Sequence, residues 1–137
     1  MRDAERALSI RQPWAELIVQ GRKTIELRSW ETDYRGPIWI HAAKAANPDL
    51  DRLFGVLDPP RGAFVGRITL EDISPIDRQR WERWRTQHLD PGRYQPGRFA
   101  WHLSAAEQLA QPVPAPGRLN LFAVDEALAA RLHAALT

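Results

Sequence analysis

Apolar residues recur along the chain with two different periods, and turn-forming residues bound each run. Residues 7–11 read as a short strand, and Pro13 suits the first turn of a helix that carries Trp14, Leu17 and Ile18 and stops at Gly21. Residues 24–30 then alternate, with Ile25 and Leu27 on one face and Thr24, Glu26, Arg28 and Trp30 on the other, as in a half-buried strand. After a turn at residues 33–37, residues 38–43 alternate again, placing Ile38, Ile40 and Ala42 opposite Trp39, His41 and Ala43, and this strand is expected to pair with the one before it. Asn47 and Pro48 open a short helix through Leu53, and the turn at residues 58–62 leads into a long strand, residues 63–73, which Gly66 is expected to bend.

The second half repeats the logic. Trp81 and Trp84 stand at helical spacing among arginines, so residues 77–89 read as one amphipathic surface helix, followed by a Pro/Gly-rich loop at residues 91–97. Phe99, Trp101 and Leu103 alternate as a strand, residues 109–113 extend the sheet, and residues 119–124 form the last strand. Asp125 then caps a helix with Leu128, Leu132 and Leu136 on one face. Short strands interrupted by a few helices, without strict strand–helix alternation, argue against a doubly wound parallel sheet. They predict an α+β, mainly β fold: a small, partly closed β-barrel with flanking helices.

At 137 residues the chain is expected to form a single domain, residues 1–137, with one hydrophobic core. It has no cysteine, which excludes disulfides, thiolate zinc sites and cysteine nucleophiles and fits a reducing, cytoplasmic location. Residues 1–6 lack the apolar run of a signal peptide, and no stretch reaches the roughly 20 apolar residues of a membrane span, so no membrane association is expected. The formal net charge is only +2, so any nucleic-acid site must be a local patch. Among 19 basic residues only Lys23 and Lys44 are lysines. In an arginine-biased chain, a retained lysine marks a place that wants a compact ammonium.

Both lysines fall in the densest polar and aromatic stretch, which takes in Arg11, Trp14, Lys23, Glu26, Arg28, Trp30, Tyr34, Arg35, His41 and Lys44. These ten are the candidate site. Glu26 is suited to orient Lys23 and Arg28 or to accept from an exocyclic amine, while the two cations suit a phosphate or a polarised carbonyl. Trp30 and Tyr34 offer stacking faces, worth about 1–3 kcal/mol per base. The structural alternative is an ordinary Glu26–Arg28 surface pair of about 0–1 kcal/mol. Trp39 and Trp101 are expected in the core. His41 is a candidate general base or phosphate contact, although a lone strand histidine is more often structural. His88, His102 and His133 are scattered, so no metal and no cofactor are expected, and no phosphate-loop, nucleophile-elbow or dinucleotide pattern occurs. Six arginines (78, 80, 83, 85, 93 and 98) against Asp77, Glu82 and Asp90 form a second basic region, which reads as a solvated helix face or a track for a nucleic-acid backbone.

The spacing G-x-K-x-x-E-x-R, here Gly21, Lys23, Glu26 and Arg28, resembles the ASCH domain family, relatives of PUA domains. Leu8-Ser9-Ile10-Arg11-Gln12-Pro13-Trp14-Ala15 before it and Ile40-His41-Ala42-Ala43 after it stand in that family's order. The resemblance implies a PUA-like small β-barrel whose cleft beside the motif binds RNA or a nucleoside-like ligand, with Lys23, Glu26 and Arg28 in or near it. Some members look like nucleic-acid-binding modules, one hydrolyses the amide of N4-acetylcytidine, and ribonuclease activity is associated with the fold, so fold alone does not decide function. The family's small amidohydrolases carry a threonine three residues after the motif lysine, where this chain has Glu26. That difference favours recognition of single-stranded RNA or a modified nucleoside. It leaves Lys23 and Glu26 as the catalytic pair if the protein is an amidohydrolase, with ribonuclease and protein-interaction roles as further alternatives.

Overall fold

The computed structural model describes residues 4–136. In chain order the elements are β1 (Glu5–Ile10), α1 (Trp14–Val19), β2 (Ile25–Arg28), β3 (Gly36–Ala42), α2 (Pro48–Leu53), β4 (Ala63–Pro75), α3 (Arg78–Arg83), α4 (Arg85–His88), β5 (Phe99–Pro114), β6 (Leu121–Val124) and α5 (Glu126–Ala135). Local chemistry sets several of these boundaries. Asn47, Asp77 and Asp125 each accept a hydrogen bond from a backbone N–H of the first helical turn that follows them. Gly21, at φ +79°, supplies the left-handed residue that turns the chain from α1 into β2.

The strands form one six-stranded sheet in the order β2-β5-β4-β3-β1-β6. Side-chain alternation divides its core between two faces. Leu8, Ile10, Ile38, Ile40, Ile68 and Leu70 pack with Ala15, Ile18 and Val19 of α1 and with Trp101. Ala7, Trp39 and Phe64 pack against Ala129 and Leu132 of α5. Trp39 and Trp101 are core residues, as expected, at 1 % and 0 % exposure. A third cluster joins Ile25 and Ala100 to Ile76 and Trp81. Full burial of side chains of this size stabilises by about 1.5–3 kcal/mol each.

Three expectations need correction. The sheet is not closed into a barrel: β2 and β6 are its two edges. It is nevertheless strongly curled. Four strand spacings, about 19 Å in a flat sheet, separate β2 from β1, yet Arg28 Nη2 on β2 donates to the Ser9 carbonyl on β1 at 3.1 Å. Register shifts along β4 and β5 produce this bending. Gly66 sits at one of them, where a Cβ would lie 2.3 Å from the Glu107 carbonyl oxygen and 2.5 Å from Val19 Cγ1.

The second correction concerns pairing. β2 does not pair with β3; it pairs antiparallel with β5, while β3 lies between β1, in parallel, and β4, antiparallel. The turn between β2 and β3 therefore connects two distant parts of the sheet. Third, residues 77–89 form two short helices broken at Trp84. The break lets His88 fold back and stack on Trp81, with ring centroids 4.2 Å apart. Among the described residues no helix is long and apolar enough to cross a membrane.

Candidate ligand cleft

The parallel pair β1 and β3 ends at Ile10 and Ala42, and Ala43 N–H extends the pairing by donating to the Ile10 carbonyl at 2.9 Å. Beyond these carboxyl ends the chain turns into α1 on one side and towards α2 on the other. Between them opens a cleft of about 410 Å³, walled by Ser9, Arg11, Trp14, Glu26, Arg28 and Asn47, with Ile10, Gln12, Leu27, Ala43 and Leu50 completing it. Its volume falls in the range of small-ligand sites, about 300–1,000 Å³. Gln12 fixes one rim: it caps α1 by accepting from Glu16 N–H at 2.9 Å and donates to the Pro60 carbonyl at 2.8 Å.

Glu26 is the centre of charge. Its Oε1 is 3.8 Å from Lys23 Nζ and its Oε2 is 3.2 Å from Arg28 Nε. The Arg28 Nε–H is not aligned with that carboxylate and, although buried, has no hydrogen-bond acceptor. That donor is thus enclosed beside the carboxylate, while the two side chains line the cleft. Lys23 is 2 % exposed. Its ammonium donates to the His88 carbonyl, pairs with Glu26 and lies 4.7 Å from the centre of the Trp14 ring. Burial lowers the affinity of this amine for its proton below that of an ordinary lysine, opposed by the Glu26 and Asp90 charges. Lys23 therefore lies beneath the cleft, clamping Glu26 to α4 and supporting the tryptophan ring.

A model of the ASCH domain matches residues 8–113. This chain belongs to the ASCH domain family. Over 132 aligned residues the domain is 29 % identical to activating signal cointegrator 1 of Homo sapiens and 28 % identical to that of Mus musculus, covering 86 % of this chain. It spans only 22 % of the length of either relative. Among solved structures, ASCH from Zymomonas mobilis matches with a TM-score of 0.72 at 18 % identity, covering 98 % of this chain and 96 % of that one. At that identity the likeness establishes the fold.

Of the ten candidate residues, the ASCH domain brings Arg11, Trp14, Glu26 and Arg28 to the cleft wall, with Lys23 directly behind them. The others go elsewhere. Trp30 packs edge-on against Trp101 at 4.8 Å, and its carbonyl accepts from the Trp101 indole. The Tyr34 hydroxyl donates to the Pro37 carbonyl at 2.6 Å, and its ring lines a separate groove of about 1,050 Å³ with Glu5, Trp39, Arg67 and His133. Arg35 donates to the Thr32 and Tyr34 carbonyls, and Lys44 is exposed. His41 is buried and bonded to Ser9 and Ala115. In the second basic region Trp81 is fully buried, Arg85 is paired with Glu82 and Arg98 with Asp90.

Sequence reasoning missed Ser9 and Asn47 as cleft residues. Asn47 was legible only as a helix cap. Ser9 gives no signal until β1 and β3 are known to run parallel and in register.

Proposed function

We propose that the cleft binds single-stranded RNA or a modified nucleoside, reading the edge of one base with Glu26 and Arg28. The observation that carries this reading is the paired Glu26 carboxylate and Arg28 guanidinium at the wall of a cleft of about 410 Å³. A carboxylate only accepts and a guanidinium only donates, so together they complement a base edge that offers an amino group next to a ring acceptor or carbonyl. Trp14, half-buried at the wall and backed by Lys23 and Phe54, offers a face for stacking. Arg11, exposed at the rim, suits a flanking phosphate. Membership of the ASCH domain family points the same way but supplies no ligand. An amidase in which Lys23 activates a nucleophile finds no support, because its ammonium is enclosed and already hydrogen-bonded.

The test is a binding titration with short single-stranded RNAs and free nucleosides. Arg28→Ala is expected to lose affinity by about 10-fold or more, the loss that follows from removing a charged hydrogen bond of about 1.5–3 kcal/mol. Binding of RNA should weaken as salt rises. Unchanged affinity in a folded Glu26→Ala, Arg28→Ala double variant would refute the assignment.

A further inference from the structure

β2 is an edge strand, so only one side of its backbone is paired within the sheet. One bond fixes which residues face that side. Leu103 N–H donates to the Thr24 carbonyl at 2.9 Å, and this pair continues the register of Ile25 with His102, Glu26 with Trp101, Leu27 with Ala100 and Arg28 with Phe99. Opposed residues in an antiparallel ladder alternate between bonded and non-bonded pairs. Glu26 and Arg28 therefore turn their N–H and C=O groups to β5, whereas those of Leu27 point off the free edge.

That edge belongs to the cleft. Arg28 Nη2 reaches from β2 to the Ser9 carbonyl of β1 at 3.1 Å, and Ser9, Glu26, Leu27 and Arg28 all line the cavity. The Leu27 side chain is committed elsewhere: it packs with Ile25, Ile76, Trp81 and Ala100 on the outer face of the strand. What Leu27 presents to the cleft is main chain. Among the described residues, no group outside the ladder bonds to its N–H or its carbonyl. Glu26 and Arg28 project from the opposite face of the strand. The β2 wall thus carries a carboxylate, a free N–H beside a free C=O, and a guanidinium.

We propose that the N–H and C=O of Leu27 pair with the base-pairing edge of an unpaired nucleobase. The assignment rests on the reading of the cleft as a base site and narrows it. In an extended residue the two groups lie side by side and point the same way, so they match a rigid edge that offers an acceptor next to a donor. All four RNA bases have such an edge: a ring nitrogen beside an exocyclic amino group or carbonyl. The base must arrive single-stranded, because a duplex already occupies that edge. Main chain accepts every base, and selection among them falls to Glu26 and Arg28. An extended peptide pairing with a free edge needs a run of such groups. β2 offers the cleft only the pair at Leu27, since Ile25 is 1 % exposed and does not line it.

Amide NMR on the purified chain tests this with the four standard ribonucleosides and with their forms methylated on the ring nitrogen of the base-pairing edge. Without ligand, the Leu27 amide should exchange with solvent at least about 10-fold faster than those of Glu26 and Arg28. Equal protection of all three overturns the proposal. A nucleoside that binds should shift the Leu27 amide and slow its exchange, and its methylated form should bind at least about 10-fold more weakly. Replacing Leu27 by its α-hydroxy acid turns the N–H into an ester oxygen while keeping the side chain and the ladder bonds. It should lower affinity by about 3- to 10-fold. A nucleoside that shifts the Trp14 and Arg28 signals but not the Leu27 amide, or binds equally well when methylated, refutes the main-chain contact and leaves the base site standing. Failure of every nucleoside and single-stranded RNA to bind refutes both. Extended peptides that shift Leu27 where nucleosides do not would overturn the proposal in favour of strand addition.

Discussion

Lys23→Met separates a supporting lysine from a ligand-binding one. The substitution keeps most of the apolar stem under Trp14 but removes an ammonium that donates to the His88 carbonyl and lies 3.8 Å from Glu26 Oε1. Both partners of that ion pair are more than nine-tenths buried as side chains, so solvent does little to screen it. Removing one member of such a pair costs about 3–5 kcal/mol, mostly because the other charge is left behind. Arg28 still faces Glu26 at 3.2 Å and the methionine packs well, so the expected loss lies at the low end, about 3 kcal/mol. At roughly 4 °C per kcal/mol for a domain of this size, the melting temperature should drop by about 12 °C. Urea denaturation measures the change, and a double-mutant cycle with Glu26→Gln apportions it. The double variant Lys23→Met, Glu26→Gln should recover at least about 1 kcal/mol relative to additivity, since no orphaned carboxylate remains. A Lys23→Met protein within about 0.5 kcal/mol of wild type, or strict additivity in the cycle, would refute the clamp.

Two further outcomes follow from the same packing. Gly66→Ala should destabilise by about 1–3 kcal/mol or more, because its Cβ would meet a backbone carbonyl and Val19, neither of which can yield without moving β5 or α1; urea midpoints check this. Stability should also fall on mild acidification. Burial lowers the proton affinity of His41, His88 and His102, so below the ordinary imidazole value of about 6.5 the unfolded chain takes up protons that the folded chain refuses. Stability is then fully present above that value and is lost as pH falls towards the folded values. A melting temperature that stays constant from about pH 7.5 to 5.5 would contradict this.

Features set by neighbours in sequence were readable from the chain: the stop at Gly21, the caps at Asn47 and Asp125, and the strand alternation around Trp39 and Trp101. Features set by long-range pairing were not. The partner of β2 lies more than 70 residues away in β5, and nothing local specifies it. Alternation placed Glu26 on a polar face, which suggested a surface pair, whereas Lys23, Arg28 and Trp14 cover that face and leave Glu26 only 7 % exposed. The two predicted strands around Leu103 and Leu109 are one 16-residue strand, whose Ala105 at φ +52° accommodates the bend without ending the pairing. Trp30 and Tyr34 looked like stacking residues because the turn after β2 was expected to return to β3 beside the cleft. Trp30 instead packs on Trp101 of the adjacent β5, and the Tyr34 hydroxyl bonds to the Pro37 carbonyl.

The arrangement explains why the motif needs a lysine at its second position even in a chain that otherwise uses arginine almost exclusively. Lys23 must satisfy three partners in three directions from a buried point: the His88 carbonyl, the Glu26 carboxylate and the face of Trp14. A compact ammonium with rotatable donors does this, whereas a planar guanidinium directs its donors into one plane and needs more room. Two positions past Glu26 the requirement reverses. Arg28 must reach across the open edge of the curled sheet to the Ser9 carbonyl while holding Nε beside Glu26, and only the long, forked side chain has donors at both places. The sheet needs no hydrogen-bonded closure because this one side chain bridges its gap, and the gap it leaves is the cleft. Any ligand that draws on the Arg28 guanidinium therefore acts on the same group that tethers β2 to Ser9, so binding at the cleft and the spacing between β2 and β1 are mechanically linked.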